Sequence, residues 1–139
     1  MKARDVMTEG PASVRTTSPL REAIAILQSL SVRHLPVVDR HGELVGILSD
    51  RDLRKYSCLD AWPEGSSDAM ASRLDMPVSS FMSKSVFTVS PETEVGDIAK
   101  LMIKQQIGAV PVVGSDGTLV GIVSYVDMLR ELVPLAASG

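Results

Sequence analysis

The sequence predicts a mixed α/β (α+β) protein in which one supersecondary unit is used twice. The first observation is an internal repeat. Leu35 to Asp52, LPVVDRHGELVGILSDRD, returns as Val110 to Asp127, VPVVGSDGTLVGIVSYVD. Pro36, Val37, Val38, Gly42, Leu44, Val45, Gly46, Ile47, Ser49 and Asp52 each recur unchanged 75 positions on, as from Pro36 to Pro111. A fixed offset without gaps is the mark of a repeated structural unit. The second observation is hairpin chemistry within each block, and the third is an amphipathic helical stretch before it. Met7/Met82 and Val14/Val89 fall on the same offset outside the blocks.

The elements follow in order. Met1 to Glu9 is short and amphipathic, a turn of helix at most. Ser13 to Thr16 reads as a short strand. Ser18 and Pro19 supply a helix start, Ser18 as cap and Pro19 as the first helical residue. Leu20, Ala23, Ile24, Leu27 and Leu30 fall at helical spacing, with Arg21, Glu22 and Gln28 off that face. Within the block, Val37-Val38 and Leu44 to Leu48 are apolar runs rich in β-branched residues. The polar loop between them contains Gly42, as a hairpin requires. Gly46, inside the second strand, marks a bulge or a close approach to the backbone. Ser49 then stands as an N-cap, with Asp52 three residues on. That pair has two readings, a capping box or a ligand-binding pair, and its presence after the same strand in both copies keeps the second open. Leu53 to Tyr56 continue this helix.

The second copy repeats the order. Ser85 to Val89 is the strand, Ser90 to Glu94 the helix start, and Val95, Ile98, Ala99, Met102 and Ile103 the apolar stripe. Met128, Leu129, Leu132 and Val133 finish the last helix, which Pro134 ends. Met102 and Met128 fill core space. The expected division is repeat 1 over 1–57, a linker over 58–76, repeat 2 over 77–134 and a tail over 135–139. In the linker, Ser67-Asp68 is placed to cap a short helix through Leu74. Trp62 either covers the joint between copies or belongs to an interface, and Cys58 reads as an inert thiol.

Composition narrows the function. The chain has 139 residues, 45% of them hydrophobic and only 4% aromatic, so the core is aliphatic. A net charge of −3 argues against sequence-independent binding of nucleic acid through a basic surface. One cysteine excludes an internal disulfide, and no Cys/His cluster has metal spacing. With neither an apolar core of signal-peptide length nor a membrane-spanning run, a soluble cytoplasmic protein is expected. No catalytic residue is assigned. His34 and His41 lack a nucleophile at motif spacing, Ser49 and Ser124 have no GxSxG context, and no P-loop or GxGxxG is present. A non-enzyme is expected.

Val6-Met7-Thr8 and Phe81-Met82-Ser83 at the copy starts, RHLPVVD and GAVPVVG before the hairpins, and GILSDRD and GIVSYVD after them resemble cystathionine-β-synthase (CBS) domains. The chain is similar to a tandem pair, or Bateman module, over residues 1–57 and 77–134, and to its small stand-alone members. The resemblance implies two β-α-β-β-α repeats packed through their sheets with pseudo-twofold symmetry, and two clefts that take adenosine compounds. AMP or ATP stands foremost, with ADP, NAD and S-adenosylmethionine also in the class. The implied role is a regulatory sensor in signal transduction that works as a homodimer with a protein partner not named by the sequence. The alternative is an oligomerisation module with empty clefts. By resemblance, Asp52 holds ribose with Ser49 and Arg51, together with Val89 and Ser90 of the other copy, while Arg33 and His34 lean toward the phosphates. Ser124 and Asp127 are matched likewise with Thr16 and Val32. A carboxylate accepts charge-assisted bonds from ribose hydroxyls, and helix N-terminal amides suit an anion. Aliphatic helix faces at Leu20–Leu30, Val95–Ile103 and Leu129–Val133 exceed what two small sheets can cover, which agrees with a homodimer.

Overall fold

The computed structural model of the chain describes residues 1–55 and 72–134. The expected helix after Ser67, together with Tyr56, Cys58 and Trp62, lies wholly or mainly outside the described residues. The chain forms two compact units that are nested in sequence. The inner unit is continuous, Ala12–Val86, and the outer unit combines Met1–Pro11 with the chain from Phe87 onward. Each copy's opening segment is therefore built into the unit that carries the other copy's hairpin.

In the inner unit, β2 (Val14–Arg15) runs parallel to β3 (His34–Val38), which pairs antiparallel with β4 (Leu44–Ser49). Helix α2 (Leu20–Ser29) makes the crossover that a parallel pair requires. Helix α3 (Asp50–Lys55) follows β4 directly, and a 3-10 turn (Val78–Ser80) closes the unit. Leu20, Ala23, Leu27, Leu35, Val37, Leu48, Leu53, Val78 and Phe81 are buried together as its core.

The outer unit opens with α1 (Ala3–Val6) and β1 (Thr8–Glu9), then continues with α4 (Val95–Gln105), β5 (Ala109–Val113), β6 (Leu119–Ser124) and α5 (Tyr125–Arg130). Strands are ordered β1-β6-β5. Ala3, Ile98, Met102, Val110, Val112 and Val123 form the core. Lys2 and Arg4 pair with Glu92, and the N-terminal amine lies 3.7 Å from Glu94. The expected strand at Ser85–Val89 shrinks to one bridge, Val89 to Val112, because only Val89 N and O reach the edge of β5.

The hairpins share one register. Val37 faces Gly46 and Val38 faces Leu44, leaving Val45 in a bulge; Val112, Gly121, Val113, Leu119 and Val120 do the same. The strand glycines sit where something approaches. A Cβ at Gly46 would lie 2.5 Å from Met82 Sδ and 3.0 Å from Ser83 O, and one at Gly121 would meet Met7 Sδ, with Thr8 O at 3.1 Å. Gly42 and Gly117 take φ of 81° and 85° in the hairpin loops, a region that favours glycine.

Two helix starts differ from expectation. Ser18 Oγ accepts from Arg15 N–H at 3.1 Å in the preceding turn, so it does not cap α2. Pro19 is the N-cap, and Leu20 N–H donates to Met76 O at 2.9 Å. Helix α4 repeats the device: Ser90 N–H bonds to Thr93 Oγ1, Glu94 is the N-cap, and Val95 N–H donates to Met1 O at 2.9 Å. One orphan donor of each helix finds a carbonyl distant in sequence, Met76 O for α2 and Met1 O for α4. The last helix, α5, ends at Arg130, before Leu132 and Val133.

Candidate functional site

In both units the second hairpin strand runs straight into a short helix, which places a serine at the junction and an aspartate in the first turn. In the inner unit Ser49 N–H and Oγ–H donate to Asp52 Oδ2 at 2.9 and 3.0 Å, and Asp52 N–H donates to Ser49 Oγ at 3.1 Å. In the outer unit Ser124 N–H and Oγ–H donate to Asp127 Oδ2 at 2.8 and 3.0 Å, and Asp127 N–H returns to Ser124 Oγ at 3.2 Å. Both are complete capping boxes, so the capping reading of Ser-x-x-Asp holds in each copy. Ligand binding is still open to these acids. A carboxylate offers about four acceptor positions, and the box takes two on Oδ2.

The other oxygens differ. Ser83 Oγ–H donates to Asp52 Oδ1 at 3.2 Å. Thr8, at the matching place, makes no such bond among the described residues, and Asp127 Oδ1 instead has the Arg130 guanidinium at 3.6 Å. Sequence reading had not assigned Ser83 or Arg130 to the site. The offset relating Met7-Thr8 to Met82-Ser83 was the available signal, because it carries Ser83 along β4 beside Ile47.

The inner unit holds Thr16, Val32, Arg33, His34, Ser49, Arg51 and Asp52; the outer unit holds Val89, Ser90, Ser124 and Asp127. His34 opens β3 and pairs with Ser49, while Arg33 O accepts from Asp50 N–H at 3.0 Å, so Arg33, His34, Ser49, Arg51 and Asp52 gather at one end of the hairpin. Burial holds the His34 pKa below its ordinary 6.5; Asp50 and Asp52 push it back up, and Arg33 and Arg51 push it down. Thr16 stays at the β2 end, its N–H bonded to Val38 O, and Val32 is partly exposed beyond α2. Ser90 is tied into its turn by Thr93. Among the described residues, no group of His, Cys, Asp and Glu is arranged to hold a metal ion, and no helix is long and apolar enough to cross a membrane.

The residues that carry the two hairpins and the two capping boxes lie within two matches to a known domain model. The model described as CBS domain fits residues 3–58 and again 78–134. The chain belongs to the CBS domain family. As a CBS pair it is 32% identical over 130 residues to a CBS domain-containing protein of Dictyostelium discoideum, covering 94% of this chain and 90% of that one. Some relatives are much longer. The A-adding tRNA nucleotidyltransferase of Aquifex aeolicus is 30% identical across 95% of this chain, which spans 14% of that enzyme. Among solved structures, a CBS domain pair in complex with 5′-methylthioadenosine and S-adenosyl-L-methionine matches with a TM-score of 0.77 at 28% identity, over 95% of each chain. CBSX2 in complex with AMP matches with a TM-score of 0.81 at 26% identity, over 97% of this chain and 98% of that one.

Proposed function

We propose that this CBS pair is a regulatory module that senses adenosine-containing compounds, with Asp52 and Asp127 accepting bonds from ribose hydroxyls. The observation that carries this reading is the state of the two acids. Each is only partly buried and is fixed in orientation by a serine that holds one oxygen. A preset carboxylate loses little freedom when a diol binds. The solved neighbours that hold AMP or S-adenosylmethionine support the choice of ligand class. Ser49 and Ser124 serve both roles, as caps and as neighbours of the ligand.

The module acts as a cytoplasmic homodimer in this reading. Ile103 on α4 is 78% exposed, and Leu129 on α5, with Leu132 and Val133 beyond its end, are each more than half exposed. These exposed large apolar side chains are what the homodimer would cover. Light scattering at tens of micromolar is expected to give twice the chain mass, and a monomer would remove the homodimer.

The competing reading, a structural module without ligand, is favoured by the completeness of the capping boxes. A thermal-shift screen with AMP, ATP, NAD and S-adenosylmethionine separates the two. A ligand that binds only the folded state raises stability as its concentration passes Kd. At least one compound is expected to raise Tm in a dose-dependent way, and the Asp52→Ala, Asp127→Ala double variant is expected to lose that response. No shift with any compound, or an equal shift in the double variant, would overturn the proposal.

A further inference from the structure

At this site the copies share a backbone and differ in the charges mounted on it. In the inner unit Asp50 N–H donates to Arg33 O at 3.0 Å, and His34 pairs with Ser49. In the outer unit Tyr125 N–H donates to Gly108 O at 2.9 Å, and Ala109 pairs with Ser124. The same two links join the strand start to the helix start each time. They carry Arg33, His34, Asp50 and Arg51 in one copy, and Gly108, Ala109, Tyr125 and Val126 in the other.

The inner set leaves positive charge available. Asp50 has Arg54 at 3.4 Å. Among the described residues, no carboxylate pairs with the exposed side chains of Arg33 and Arg51, yet both lie near enough to His34 to lower its pKa. In the outer unit the charge at hand is Arg130, which lies 3.6 Å from Asp127 itself. Tyr125 and Val126, 46% and 40% exposed, stand where the inner unit has Asp50 and Arg51. An anion beside a carboxylate is repelled unless cations offset it. Guanidinium groups match phosphate oxygens in geometry as well as in charge.

We propose that the two acids serve different ligands: the Asp52 site takes a phosphorylated adenosine compound, and the Asp127 site takes an adenosine compound without phosphate. The inference rests on the adenosine-binding reading above and adds a division of labour to it.

Calorimetric titration of the full chain with AMP and with adenosine tests both levels. Asp52→Ala is expected to lose the tight AMP site, and Asp127→Ala to keep it. The Arg33→Gly, Arg51→Val double variant should weaken AMP by roughly ten- to a hundredfold for each charged bond lost and weaken adenosine at least tenfold less. Both arginine side chains are exposed, and an unaltered melting curve would show that the variant is folded. Val126→Arg supplies the opposite arm, with AMP affinity at the Asp127 site expected to rise. Parallel losses for AMP and adenosine, an AMP site that follows Asp127 in place of Asp52, or no gain in Val126→Arg would each overturn the division while adenosine binding stood. Failure of both compounds to bind the wild type would overturn the division, and the adenosine reading falls with it when ATP, NAD and S-adenosylmethionine also give no shift.

Discussion

Strands β4 and β6 are nearly the same strand, whereas α3 and α5 are the same helix only in outline. Each strand carries a bulge, at Val45 or Val120, and a glycine under a methionine, and each ends in a serine that caps the next helix. Beyond that serine the units part. Leu53 anchors α3 and is fully buried, whereas α5 has no buried residue and leaves Tyr125, Val126 and Leu129 exposed. The glycine repeats where a methionine and a carbonyl oxygen leave no room for a Cβ, and the serine and aspartate repeat where they close a capping box. Beyond them the helices differ both in the residue that anchors them, Leu53 against Met128, and in the side chains they expose.

The sharpest way to break this comparison is to remove the anchors. Leu53→Ala deletes a fully buried side chain, and a loss of about 3 kcal/mol is expected from the methylenes and the cavity left behind. Met128→Ala, at the matching position in α5, should cost about 1 kcal/mol, because Met128 is only partly buried. Urea unfolding of both variants measures the difference, and equal losses would mean that α5 is as firmly packed as α3.

The strand glycines give the next largest effect, and here the units should agree. Gly46→Ala and Gly121→Ala each push a methyl against a methionine and a carbonyl oxygen that belongs to a paired backbone, at a cost of about 1–3 kcal/mol. Adding Met82→Ala to the first, or Met7→Ala to the second, removes one obstacle and should recover part of the loss. Unequal costs would show that the matched register conceals a difference in how β1 and the Met82–Ser83 segment are held.

These cases also show how far local sequence reaches. The hairpins, their glycine turns and both capping boxes were legible because every partner lies within a few residues. The helix starts were not. Ser18 was expected to cap α2, yet the donor at Leu20 is met by Met76 O, and the donor at Val95 by Met1 O. A cap supplied by a carbonyl more than fifty residues away leaves no local trace. Ser31 and Gln106 end α2 and α4 with φ of 53° and 55° without being glycine, so the usual stop signal was absent. Of the site, the paired acids were visible through the repeat, whereas Ser83 enters from a segment whose position the local pattern does not encode. Ile103 and Leu30 were read as helix-face apolar residues, and both are exposed.

Smaller effects sharpen the comparison at the acids. Asp52→Asn and Asp127→Asn each disturb a capping box and should cost about 1 kcal/mol. The inner variant should lose slightly more, because it also disturbs the bond from Ser83. Ser83→Ala tests that increment alone, at about 0.5–1 kcal/mol, with Thr8→Ala as the control expected to change nothing.

The smallest effect is in pH. The folded-state pKa of His34 lies below 6.5 because burial disfavours the cation. As pH falls through 6.5, the unfolded chain takes up a proton that the folded chain still refuses, so stability declines until pH reaches the folded value and is level below it. His34→Ala, which copies Ala109, should flatten that part of the profile. With AMP present the sign reverses for binding: a nearby phosphate favours the imidazolium, so wild-type affinity should rise as pH falls, and the rise should be missing in the variant.

The nesting of the units also sets a schedule. During synthesis, Met1–Pro11 emerge before the inner unit, yet β1 pairs with β6 and the Met1 carbonyl meets Val95, so their partners are made after it. The inner unit has all of its strands and its closing turn in hand by Val86, while the outer unit still holds only its opening segment. Until the second hairpin appears, that segment trails without a sheet to join. Closing so long a loop raises the entropic cost of the final step only slowly with length, but it fixes the order of events: the inner unit forms as the chain is made, and Met1–Pro11, made before it, are placed after it.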